Sequence, residues 1–109
     1  MSFFGRGGNT GITAPENAKR LHLRFVGEVQ GVGFRWTSSM VARELELTGW
    51  VTNNPDGSVT AEIQGAPEHV GAFFSQMLEA YRRRPIRYVI SEREEIPVDR
   101  GEHHFEVRY

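Results

Sequence analysis

The chain has 109 residues, 39% of them hydrophobic and 25% charged, which fits one globular domain built around one core. Its formal net charge is -1, so no basic surplus points to nucleic acid or to an anionic membrane surface. It contains no cysteine, which excludes a disulfide scaffold, a thiolate nucleophile and a cysteine zinc site.

Residues 1–20 lack the basic start and apolar core of a secretory signal, and no apolar run approaches the ~20 residues that span a bilayer. A cytoplasmic location is expected. Gly5, Gly7, Gly8 and Gly11 interrupt any period in this stretch. It reads as a flexible, Gly-rich tail, or at most a strap whose Phe3 and Phe4 settle into a groove. The folded domain is expected over residues 21–109.

From Leu21 the pattern sharpens. Leu21, Leu23 and Phe25 alternate with His22 and Arg24, the period of a half-buried strand. Gly27, Gly31 and Gly33 break the run, and a helical spacing follows through Phe34, Ser38, Val41, Ala42 and Leu45, with Gly49 expected as its C-cap. Trp50 and Val51 open a second strand. Asn54-Pro55-Asp56-Gly57 is turn chemistry, and Val59, Ala61 and Ile63 alternate with polar residues in a third strand, making a hairpin.

Pro67 suits the first position of a second helix, whose apolar stripe is Val70, Phe73, Phe74, Met77 and Tyr81. Ile86 to Ile96 and His104 to Tyr109 read as two further strands. The order is β-α-β-β-α-β with a short terminal strand. The expected class is α+β, a ferredoxin-like sandwich with two helices on one face of an antiparallel sheet. In that topology the loop after the first strand and the end of the second strand share one sheet edge. Residues 27–34 and Asn53 should therefore be neighbours.

Gly27-Glu28-Val29-Gln30-Gly31-Val32-Gly33-Phe34-Arg35 links a strand to a helix start. Glycines let successive N–H groups turn toward one point, and the helix adds unpaired donors and the positive end of its dipole. Such a loop suits a phosphate, and Arg35 can add charge-assisted bonds to it. The spacing matches neither a Walker A loop nor a dinucleotide fingerprint. On geometry alone two readings stay open, an anion cradle or a glycine-rich corner beside an exposed arginine.

His103 and His104 are adjacent, so on a strand they face opposite ways, and His22 and His69 have no acidic or histidine partner at ligand spacing in the sequence. No metal site is expected. Arg82, Arg83 and Arg84 suit the C-terminal end of a helix and solvent better than RNA, and Glu92 and Glu94 share a solvated strand face.

The segment from Gly27 to Arg35 resembles the first signature of the acylphosphatase family. Gly49-Trp50-Val51-Thr52-Asn53, continuing through Asp56-Gly57-Ser58-Val59 to Gly65, resembles its second, and Phe105-Glu106-Val107-Arg108-Tyr109 is similar to the family's usual terminus. The resemblance covers Leu21 to Tyr109. It implies hydrolysis of the carboxyl–phosphate bond of acyl phosphates, without metal or cofactor. Arg35 corresponds to the family's phosphate-binding arginine, and Asn53 to the asparagine that orients the attacking water. The backbone of Val29, Gln30, Gly31, Val32, Gly33 and Phe34 corresponds to the phosphate cradle. The implied partner is a small-molecule acyl phosphate, with no nucleic acid and no membrane, bound by a monomer. A non-catalytic ferredoxin-like module that keeps an anion site is the reading from another class. A second rival is the acylphosphatase-like domain that opens the large hydrogenase-maturation carbamoyltransferases; a chain ending at Tyr109 favours the free-standing enzyme.

Overall fold

Alternation along each strand decides which side of the sheet is covered. The computed structural model describes residues 11–109. In chain order the elements are β1 (Lys19–Gly27), α1 (Phe34–Glu44), β2 (Thr48–Asn53), β3 (Val59–Gly65), α2 (Pro67–Ala80), β4 (Tyr88–Ile96) and β5 (Phe105–Arg108). They form one sheet in the order β4-β1-β3-β2-β5. Neighbours among β4, β1, β3 and β2 are antiparallel, while β5 joins β2 in parallel, so the sheet as a whole is mixed. The ferredoxin-like order β-α-β-β-α-β is present, with β5 added at the edge.

Register aligns the apolar residues in rows across the strands. Leu23 lies opposite Ala61 and Ala61 opposite Val51; Phe25 lies opposite Val59 and Val59 opposite Asn53. The apolar members of these rows are buried in one cluster with Phe34, Val41 and Ala42 of α1 and Val70, Phe73 and Met77 of α2. Both helices therefore cover the same face. Each fully buried side chain of the α2 stripe contributes about 1.5–3 kcal/mol of hydrophobic stabilisation. Phe74 and Tyr81 sit half-buried at the border of that cluster.

Helix α1 does not end at Gly49. Its last residue is Glu44, with Leu45 as the C-cap, and Glu46 takes the left-handed conformation (φ 56°). The Glu46 and Leu47 amides donate back to the Arg43 and Ala42 carbonyls at 3.1 and 2.8 Å. The fully buried Leu47 then plugs the turn into the core. Gly49 lies inside β2 at φ 140°, where a Cβ would sit 1.8 Å from the Glu62 carbonyl oxygen. It is a close-approach glycine, not a cap.

The expected boundary at residue 20 falls inside β1, which starts at Lys19. Residues 11–18 run against the turn before β5: the Ile12 amide donates to the His103 carbonyl at 2.8 Å, and Arg100 donates to the carbonyls of Ala14, Pro15 and Glu16. Phe3 and Phe4, and the first half of the expected tail, lie outside the described residues.

The other face of the sheet carries a polar network. Arg20 is only 5% exposed and donates to Glu62 at 2.9 Å, Glu102 at 2.7 Å and Gln64 at 3.1 Å. Gln64 in turn exchanges hydrogen bonds with the Asp99 backbone. These contacts hold the β4–β5 connection against the sheet. His22 also has acidic partners, supplied by the neighbouring strands: its Nδ1 is 2.9 Å from Glu62 and its Nε2 3.3 Å from Glu92.

Candidate active site

The end of β1, the start of α1, the end of β2 and β5 meet at one sheet edge, around a cleft of about 260 Å³. Val29, Gln30, Gly31, Gly33 and Phe34 form one wall. Gly31 and Gly33 have φ of 80° and 74°, values that a side chain would strain, and Gly33 is the N-cap of α1. Two buried apolar side chains, Val29 and Phe34, each 1% exposed, clamp the loop at its two ends.

The loop's donors are largely unspent. Among the described residues, the Glu28 and Val29 amides bond the Arg87 and Gly27 carbonyls, whereas the amides of Gln30, Gly31, Val32, Gly33 and Phe34 donate to no protein acceptor. Five consecutive free N–H groups at a helix N-terminus are a concentration of partial positive charge.

Arg35, in the first turn of α1, lines the same cleft. Its guanidinium donates to the Arg108 carbonyl at 3.1 Å and stands 4.6 Å from the centre of the Tyr109 ring. Asn53, the last residue of β2, lines the cleft from the opposite strand. Its row with Val59 and Phe25 turns its side chain to the helix-bearing face, where α1 begins. The loop, Arg35 and Asn53, far apart in the chain, thus share one concave surface. Val32 is the exception among the expected cradle residues: it does not line the cleft, its side chain is exposed, and its carbonyl accepts from the Tyr81 hydroxyl.

A family model described as Acylphosphatase matches residues 21–107. The chain belongs to the acylphosphatase family. An acylphosphatase of Oceanobacillus iheyensis is 36% identical over 91 residues, 84% of this chain and 99% of that protein. One of Thermococcus kodakarensis is 60% identical over 53 residues, 49% of this chain, and the match spans only 58% of that relative's length. The solved structure of an acylphosphatase from Coxiella burnetii superposes with a TM-score of 0.67 at 33% identity, covering 85% of this chain and 95% of that one.

One side chain ties the loop to the β2–β3 turn. Gln30 Nε2 donates to the Asn54 carbonyl at 2.8 Å and to the Ser58 carbonyl at 2.9 Å. That turn is braced in its own right. Asp56 accepts from the Ser58 hydroxyl and amide at 2.6 and 2.9 Å and from Arg24 at 2.6 Å. The Ser58 bonds first, and Arg24 after them, hold its carboxyl at a pKa of about 2. Asn54 bonds Ser58 and Thr60 by its side-chain amide, in keeping with its reading as turn chemistry.

Trp36, Val107 and Tyr109 also line the cleft; Val107 and Tyr109 lie in the terminal motif of the resemblance, but none of the three is given a role by the sequence. Trp36 is 66% exposed on a helix otherwise read for its buried stripe, and exposure of a large aromatic at a loop–helix junction is the signal it offered. Val107 and Tyr109 enter through the parallel pairing of β5 with β2. Among the described residues, no helix is long and apolar enough to cross a membrane.

Proposed function

We propose that the chain hydrolyses acyl phosphates to carboxylate and inorganic phosphate, with residues 21–109 as the working unit, acting as a monomer in the cytoplasm. The observation that carries this reading is the run of free amides from Gln30 to Phe34 beside a cleft lined by Gln30, Gly31, Gly33 and Phe34 together with Arg35 and Asn53. The amides and Arg35 bind the phosphate oxygens. Only one carbonyl bond engages the guanidinium, so most of its five N–H donors remain available.

The chemistry asks for little more. The leaving group is a carboxylate whose conjugate acid has a pKa of roughly 4–5, so it departs without a general acid. Water held by the Asn53 carboxamide attacks phosphorus in line with that bond. The P–O bond to the acyl group breaks, its electron pair leaves with the carboxylate, and the water proton passes to a phosphate oxygen. Asn53 orients and does not act as a base. The loop amides and Arg35 stabilise the charge spread over the transferring group. No step calls for a metal ion. Trp36 at the rim gives the acyl portion an apolar surface on leaving the phosphate site.

Release of phosphate from benzoyl phosphate in the presence of EDTA tests the proposal. The wild-type protein should turn over, and Arg35→Ala should lose roughly 10²–10³ in kcat, as deletion of an oxyanion donor does. Binding of inorganic phosphate without hydrolysis would make the protein an anion-binding module instead.

A further inference from the structure

We propose that Tyr81 is a positioning residue for the phosphate cradle: its hydroxyl grips the Val32 carbonyl and so aims the Gly33 amide into the cleft. This rests on the cradle reading above and extends it to a residue from the other helix.

Tyr81 is the C-terminal cap of α2, outside both signature segments. Its hydroxyl lies 3.1 Å from the Val32 carbonyl oxygen and 3.4 Å from the Thr37 hydroxyl of α1. Its ring stacks on Phe34, with centroids 6.3 Å apart and planes 15° from parallel, so the hydroxyl is held in place by packing. In a trans peptide the C=O and the following N–H point in opposite directions. A donor that draws the Val32 carbonyl toward α2 therefore turns the Gly33 N–H away from α2. Gly33 lines the cleft and Val32 does not, as this orientation requires.

The loop needs such a restraint. Val32 stands between Gly31 and Gly33, two residues in the left-handed region that move between backbone wells at little cost. Rotation of the Val32–Gly33 peptide would present a carbonyl oxygen to the cleft, where it would repel a phosphate. The Tyr81 bond opposes that rotation before any anion arrives, and it costs nothing of the cradle's own donors.

Tyr81→Phe removes the hydroxyl and keeps the ring. Its dissociation constant for inorganic phosphate, and its KM for benzoyl phosphate, should rise roughly 3- to 10-fold, the range of one hydrogen bond. Thr37→Val removes the neighbouring hydroxyl and should leave phosphate affinity unchanged. In the wild-type protein the Gly33 amide proton should move on titration with phosphate. Wild-type phosphate affinity in Tyr81→Phe, equal weakening in Thr37→Val, or a Gly33 amide indifferent to saturating phosphate would each overturn the proposal. If wild-type protein hydrolyses benzoyl phosphate while any of these holds, Tyr81 alone is misassigned. If it neither binds phosphate nor hydrolyses the substrate, the cradle reading falls and takes Tyr81 with it.

Discussion

Arg35 is ordered at two points, by the Arg108 carbonyl at 3.1 Å and by the Tyr109 ring beneath its guanidinium. An arginine held this way gives up less rotamer freedom when it meets a phosphate than one waving in solvent. Asn53 stands differently, as a strand-end side chain set by the pleat of β2, and its assigned task is to hold water. Asn53→Ala should lower kcat by roughly 10²-fold while leaving inhibition by inorganic phosphate within about twofold of wild type. Equal loss of both in steady-state kinetics would make Asn53 a phosphate ligand. Arg35 and Asn53 were legible in the sequence because each sits in a run of distinctive neighbours. Tyr81 was visible only as one more apolar position in the α2 stripe. Its hydroxyl acts across the interface between helices, and no spacing along a chain encodes that distance.

At the scale of elements, the strands and helices were readable from period, and their ends less so. The α2 start at Pro67 and the alternation of β3 stand where the pattern put them. The α1 end was misplaced because a glycine after a helical run has two meanings, a left-handed cap or a close approach, and only the neighbouring strand distinguishes them. At Gly49 the neighbour is the Glu62 carbonyl of β3. Gly49→Ala should therefore cost at least about 2 kcal/mol, by pushing β2 off β3 and straining a positive φ. A lowered urea midpoint would check it; a midpoint within error of wild type would mean that the β2–β3 ladder yields easily. The parallel pairing of β5 could not be read, since a four-residue strand carries no sign of which edge it joins or in which direction.

For the whole molecule the two faces of the sheet divide the labour: helices and cleft on one, an ionic lattice on the other. His22 bridges Glu62 and Glu92 across three strands, and its bond to Glu62 foremost raises its pKa above the ordinary 6.5, against burial that lowers it. Burial pushes the Glu62 carboxyl up, and the His22 and Arg20 bonds outweigh it and hold it low. A raised folded-state pKa means that the protonated imidazole stabilises the fold in full below about pH 6.5 and that this contribution is lost as pH rises through the folded value. Wild-type Tm should fall as pH rises above about 6.5, and His22→Gln should flatten that slope. Parallel slopes in the two proteins would remove His22 from the account. Those strand-to-strand partners were hidden in the sequence, where His22 and Glu62 are forty positions apart.

The anchoring of Arg35 on β5 has a consequence for the life of the polypeptide. Every group assigned to chemistry lies within residues 29–53, yet the carbonyl that steadies the arginine stands 73 positions beyond it, on β5. A nascent or clipped chain can carry the complete reactive set and still lack the strut that keeps it in order. Removal of β5 alone should therefore leave the cleft's donors in the chain and set the guanidinium adrift.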